Sequence, residues 1–437
     1  MRFFCFSLLL LFILACSNEK TNHTKLIHFV PEKTSIIIKT SNLESLKSSI
    51  DNNDFLQSLS NTKAYKNLDR QLKNVSLLKP TEQILICFSS DHADSLEYSL
   101  ITKYSKDLFQ RDSLRNYIEE TLKYDDYSII KSTLNNYTFF SAIIDSTFFT
   151  SSSLNLVQRA FHYTNSNVEL GKIYRTTNND KLVSIILKCD ENSAIKSLFP
   201  DEQLPLKTFT NYIAVDADIS QETTLINGIT QASDSTKSFI NVFKNTIPQE
   251  NQIQNVTPDN ADGFLSFTFN NYKIFHSNLV KFTQVGTLKN MSNLFDDISE
   301  VGVIYDAENR AIVLNSLDVI ATEDVLIGEQ NVIDAFRQVE IFSFSDPDIF
   351  NASFSPLVSF NKATKYCILD NFFVFADDLE MLHIIITDYQ NKTTLSEQVY
   401  FKDVKAYLSD ASSILLVLNP ANLQAVLNNN FEEYNTV

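Results

Sequence analysis

Residues 34–50, TSIIIKTSNLESLKSSI, hold the pattern on which the fold turns. Ile36 to Ile38 form a β-branched run that favours a strand. A polar step follows, in which Asn42 is placed to cap a helix. Leu43, Leu46 and Ile50 then recur at helical spacing. The same order of strand, Asn-containing turn and helix returns at 181–199 (KLVSIILKCDENSAIKSLF), 263–282 (GFLSFTFNNYKIFHSNLVKF) and 412–427 (SSILLVLNPANLQAVL).

Two further units repeat around it. Residues 83–104, 211–230 and 300–319 each read as two strands about a polar turn. Residues 142–161 pair without a gap with 367–386, and Ile143/Ile368, Asp145/Asp370, Phe148/Phe373 and Leu154/Leu379 are identical there. Recurrence at this scale predicts duplicated modules. The expected layout is a signal peptide (1–15), a lipidated cysteine with its tether (16–32), a first module (33–180), a partial module (181–261), a second module (262–410) and a closing strand–helix segment (411–437). Either that last strand completes the sheet before it, or the chain is a truncated member of a longer family. Short strands, tight hairpins and interspersed helices predict an α+β fold of tandem modules, each an antiparallel sheet with helices packed on one face.

The N-terminus is of another kind. Met1-Arg2 precede an apolar run from Phe3 to Leu14. Such a run is too short to span a ~30 Å hydrocarbon core as a helix, and its layout is that of a secretory signal. Ile13-Leu14-Ala15-Cys16 resembles the lipobox of bacterial lipoproteins. That resemblance implies a diacylglyceryl (palmitate-type) modification on Cys16 and removal of residues 1–15. Stable attachment takes at least two acyl chains, so a lipidated Cys16 would hold the chain at a membrane without a spanning helix. Ser17 stands where Asp would retain a lipoprotein at the inner membrane in some bacteria, so the outer membrane is expected. The opening VPEKTSIIIKTSNLESL (30–46), the repeated hairpins and this anchored start together resemble an uncharacterised family of bacterial envelope proteins, which implies no activity and no catalytic residue.

Composition narrows the function by exclusion. The formal net charge is −17 over 437 residues. That acidity excludes nucleic acid, whose phosphates need clustered Lys and Arg. Once Cys5 is removed and Cys16 lipidated, Cys87, Cys189 and Cys367 remain, an odd and widely spaced set that is no disulfide framework; three buried thiols are expected, with a Cys87–Cys189 bridge the alternative. The glycines are six, no two closer than 15 residues. Phosphate-cradling loops and the G-x-S-x-G elbow are thereby excluded.

Candidate chemistry is sparse. H-E-x-x-H and C-x-x-C are absent, so no metal and no cofactor is expected. Asp91-His92-Ala93-Asp94 reads as a solvated hairpin turn and PDNADG (258–263) as a turn before a strand. Asp145 and Asp370 occupy matching turns and read as structural side-chain caps. Phe148-Phe149 and Phe372 to Phe375 fit the two faces of covered strands, or an apolar cleft. Trp is absent, which counts against a sugar platform. Asp-Ser-x sites at Ser95, Ser113, Ser146 and Ser235 resemble a periplasmic O-glycosylation acceptor and also arise by chance. The reading is a lipid-anchored, non-catalytic binding or scaffolding protein of the bacterial envelope, with the membrane (through Cys16) and an envelope protein as partners. Its rivals are a carrier of an apolar ligand in a Phe-lined cleft and a carboxylate-dependent hydrolase.

Overall fold

The computed structural model describes residues 25–419, apart from 59, 62–64, 67–77, 93–94, 110–116, 135–136, 163, 165, 192–195, 198–203, 233, 235–236, 285–291 and 308. Cys16, Ser113, Ser235 and the closing helix-type run lie outside the described residues.

The first half opens with β1 (Thr34–Thr40), α1 (Leu43–Asn52) and α2 (Asp54–Ser58). Six strands follow: β2 (Ile84–His92), β3 (Ser95–Lys103), β4 (Tyr117–Tyr124), β5 (Tyr127–Leu134), β6 (Tyr137–Ile144) and β7 (Thr147–Ser151). Helices α3 (Leu154–Ala160) and α4 (Val168–Tyr174) lead to β8 (Val183–Lys188). Then come α5 (Leu206–Phe209), β9 (Tyr212–Ile219) and β10 (Thr224–Gln231). The second half runs β11 (Gly263–Thr268), α6 (Tyr272–Thr283), β12 (Ile298–Asp306), β13 (Asn309–Ser316) and α7 (Val319–Val325). It continues through β14 (Val332–Phe336), β15 (Val339–Ser343), α8 (Ile349–Phe354), β16 (Lys365–Leu369) and β17 (Phe372–Ala376), and ends with α9 (Leu379–Asn391), α10 (Val399–Lys405) and β18 (Ile414–Leu418).

These strands make two large antiparallel sheets, and the fold is α+β. The first has ten strands in the order β10-β9-β8-β1-β2-β3-β7-β6-β5-β4. The second has eight, which from the β18 edge read β18-β11-β12-β13-β17-β16-β15-β14. Without β10 and β9 the two orders coincide strand for strand. β8, β9 and β10, from the stretch read as a partial module, extend the first sheet through β8 on β1. β18 pairs with β11 and lengthens the second.

The helices, expected on one face, cover both. In the first sheet Leu43, Leu46 and Ile50 of α1 pack with Ile84, Ile86 and Leu100, while α3 and α4 pack Leu156, Val157, Leu170 and Ile173 with Leu85, Cys87 and Phe149 on the opposite face. In the second, α6 and α8 bring Phe275, Leu279, Phe350 and Phe354 to one face, and α9 brings Met381, Leu382, Ile385 and Ile386 to the other. The reason lies in the strands: β11 and β17 are buried at every position, and a strand apolar on both sides needs cover on both. Cys87, Cys189 and Cys367 are free and buried, so no Cys87–Cys189 bridge forms. Burial pushes the Cys189 and Cys367 thiols up to about 12. Among the described residues no helix is long and apolar enough to cross a membrane.

Candidate functional site

Strands β3 to β7 carry an open cleft because their two sides differ in content. Side chains alternate across a strand. On β6, Phe140 packs against the core under α3 and Ala142 belongs to that core while also touching the cleft; Tyr137, Phe139, Ser141 and Ile143 turn to the cleft. On β5, Ile129 is buried in that same core and Ser128, Ile130, Ser132 and Leu134 line the cleft. β7 adds Phe148 and Thr150 and β3 adds Tyr98 and Leu100. The segment Tyr104–Phe109, Tyr117 and Phe161 complete a cavity of about 900 Å³, in the upper part of the ~300–1,000 Å³ range of small-molecule pockets.

Its walls are aromatic. Phe109 meets Tyr117 at 5.5 Å and Phe139 at 6.3 Å between ring centroids, and Tyr127 stacks on Phe161 at 4.1 Å. Tyr104, Tyr127, Tyr137 and Ile143 are each 40–51% exposed, an unusual amount of open ring and methyl surface for one site. The uncharged polar side chains inside are hydroxyls, several of them engaged by the protein. The Tyr117 hydroxyl and Ser132 Oγ are hydrogen-bonded at 2.9 Å, and Thr150 Oγ1 donates to the Phe140 carbonyl at 3.0 Å. Lys106, Asp107 and Asp126 are the charged groups of the described lining.

The second sheet explains why the first is open. In the duplicated pairing, Ile143 opposite Phe148 matches Ile368 opposite Phe373. One step along, Ser141 opposite Thr150 matches Tyr366 opposite Phe375. Tyr366 and Phe375 stack at 5.2 Å, and Phe344 and Phe350 close on Phe375 at 5.0 and 4.9 Å. Phe350 comes from α8, which lies in the connection from β15 to β16; in the first half β5 joins β6 across residues 135–136 alone. Two large rings exchanged for Ser and Thr, and a helix left out, account for the cavity.

The residues singled out in the sequence are dispersed. Of the Phe runs, Phe148 lines the cleft, whereas Phe149 and Phe372 to Phe375 are core. Asp145 and Asp370 sit at hairpin turns, one in each sheet, with left-handed backbone. Asp370 accepts a hydrogen bond from the Tyr389 hydroxyl, a structural use. Asp91 and His92 end β2, and the rest of that turn lies outside the described residues. The 258–263 segment is a turn: Ala261 N–H donates to the Pro258 carbonyl at 3.2 Å, and Asp262 accepts from Ala307 N–H at 2.8 Å. Asp306 is raised above the ordinary Asp value by burial and then by neighbouring Asp262, against Arg310; neither acid lines the cleft. Among the described residues no group of three His, Cys, Asp or Glu is placed to hold a metal. The cleft's tyrosines escaped the sequence reading because no spacing marks them. The signal that finds them is the exchange of Ser141 and Thr150 against Tyr366 and Phe375.

No family model matches the chain, and no curated protein matches it. Among solved structures, one titled "Structure of crystal form I of TP0453" is similar over 49% of this chain and 82% of its own, with 11% identity and a TM-score of 0.29.

Proposed function

We propose that this chain is a non-catalytic binding protein of the bacterial cell envelope, tethered to the outer membrane through lipidated Cys16, that carries an apolar ligand in the cleft of its first sheet. The observation that supports the carrier reading is the contrast between two sheets of one design. The face filled by Tyr366, Phe375 and Phe350 in the second sheet is hollow in the first. A fold that can fill this face, and does so once, carries about 900 Å³ of aromatic-walled space in the other copy. Apolar surface left in contact with water is unfavourable by roughly 25 cal/mol per Å², which a ligand would recover.

The test uses the fold's own remedy. Intact protein purified from envelope membranes is examined by native mass spectrometry beside the double variant Ser141→Tyr, Thr150→Phe. The wild type is expected to carry a small molecule that the variant lacks, with both equally folded by circular dichroism. Ligand-free masses for both would end the carrier reading. A scaffold role, with an envelope protein as partner, is supported by a second observation: Ile320 of α7, Leu317 before that helix and Ile327 after it are 70–73% exposed. It would then be the outcome that survives, and crosslinked pull-down from membranes beside a Cys16→Ala control would decide it.

A further inference from the structure

From the lining of the cleft we infer the class of its ligand: an unbranched hydrocarbon chain, with any charged head left at the rim. This rests on the carrier reading above and goes beyond it in naming the chemistry.

The floor decides against polar ligands. Recognition of a sugar or a peptide backbone calls for amide, guanidinium or carboxylate groups of fixed direction; no Asn, Gln, Arg, Glu or His lines the cleft among the described residues, and its two carboxylates, Asp107 and Asp126, are exposed and stand in turns outside the strands. Of the hydroxyls, Ser132 is taken by Tyr117 and Thr150 by a main-chain carbonyl. The other hydroxyls, such as those of Ser128 and Ser141, are single small groups set among ring and aliphatic surface, as at Leu100, Ile130, Phe139 and Phe148. The floor also decides against a buried anion. A charge out of water needs a partner, and the single cation of the described lining, Lys106, stands next to Asp107, with Asp126 also in the lining.

The shape of the lining argues for a chain. Small residues run diagonally across neighbouring strands, Ser132 on β5, Ser141 on β6 and Thr150 on β7, with Ser141 paired directly to Thr150. Aromatic side chains lie beside this line: Phe139 pairs across from Ser132, and Phe148 stands two residues before Thr150. A trough with a low floor and ring walls, long enough to cross three strands at ~4.8 Å spacing, suits an extended methylene chain better than a compact ring system.

The experiment photolabels the intact protein, held in lipid nanodiscs, with a palmitic acid analogue bearing a mid-chain diazirine. A parallel sample offers the same chain as a phosphatidylcholine of the bilayer, which separates free acid from membrane lipid as the source. Label is expected on peptides spanning 128–134 and 137–143 in at least one sample. It is expected to fall about tenfold, the loss that ~1.4 kcal/mol brings, in Ser141→Tyr, Thr150→Phe and in Ile130→Asp, which leaves the volume open but puts a charge on the floor. Label spread over the surface, or unchanged in both variants, overturns the inference. A co-purified molecule without an alkyl chain would overturn the ligand class and leave the carrier reading standing; no bound molecule at all would remove both.

Discussion

At the residue scale, the least expected side chain is Glu300. Three residues before the capping asparagine of each half, Lys39 pairs with Leu85 in the first sheet and Thr268 with Glu300 in the second. Glu300 thus puts a carboxylate, wholly buried, where its counterpart is a leucine. It accepts hydrogen bonds from Ser266 Oγ, from Asn315 Nδ2 at 3.1 Å, and from the N–H groups of Gln252 at 2.9 Å and Ile253 at 3.4 Å. Those bonds pin the 252–253 backbone to the sheet, where Ile253 occupies the space left by Gly302: a Cβ there would stand 2.7 Å from Ile253 Cγ1. Burial raises the Glu300 carboxyl above its ordinary value, and the four donors oppose that rise without cancelling it. The folded state therefore holds this proton more tightly than the unfolded chain. Its contribution is greatest below the ordinary value of 4.5 and is lost as pH rises through the folded-state value. Urea unfolding between pH 4 and 8 is expected to show this decline in the wild type and a flatter profile in Glu300→Gln. Glu300→Ala leaves four donors without their acceptor and is expected to cost about 3 kcal/mol at pH 7.

At the element scale, the opening unit is built twice from the same parts. Asn42 accepts from Ser45 N–H at 2.8 Å and Asn271 from Ile274 N–H at 3.1 Å, each capping the helix that follows. Leu43, Leu46 and Ile50 of α1 are answered by Tyr272, Phe275 and Leu279 of α6 at the same spacing. This much was legible in the sequence, because cap and helical period are local properties. The cover on both sheet faces was less so, since a short apolar run reads alike whether one or both of its sides are buried. The cleft was invisible by spacing: Ser141 and Thr150 face each other only because β6 and β7 pair in that register, a tertiary fact. Asn42→Ala and Asn271→Ala are each expected to lower stability by about 1 kcal/mol, and additively, since they cap helices on different sheets. Gly263 is more demanding. It has φ +142°, and a Cβ would lie 2.1 Å from the Val417 carbonyl oxygen. Gly263→Ala is expected to part β18 from β11 and to cost more than either cap, seen as fast amide exchange across 414–418 with β12–β13 still protected.

At the scale of the whole molecule, the duplication lets each half serve as the control for the other. Two differences separate the open face from the filled one: the Ser141–Thr150 pair in place of Tyr366–Phe375, and the two-residue 135–136 connection in place of the stretch that carries α8. Their roles are separable by hollowing the second sheet. Tyr366→Ser with Phe375→Thr removes two side chains that are at most 1% exposed, and truncation of a buried aromatic costs roughly 3–5 kcal/mol. Because Phe350 and Phe354 of α8 still cover that face, the space created is enclosed and has no mouth. The double variant is therefore expected to unfold at a much lower urea concentration while taking up no labelled acyl chain at 365–376. The reverse exchange in the first sheet, Ser141→Tyr with Thr150→Phe, adds rings to a face with about 900 Å³ of room and is expected to leave the midpoint unchanged or raised. Stability and uptake then move independently: ring size at the paired positions governs the packing of either sheet, and the missing helix gives the first sheet its entrance. Acyl labelling of the hollowed second sheet would show instead that floor composition alone makes the site, and that α8 is no barrier to entry.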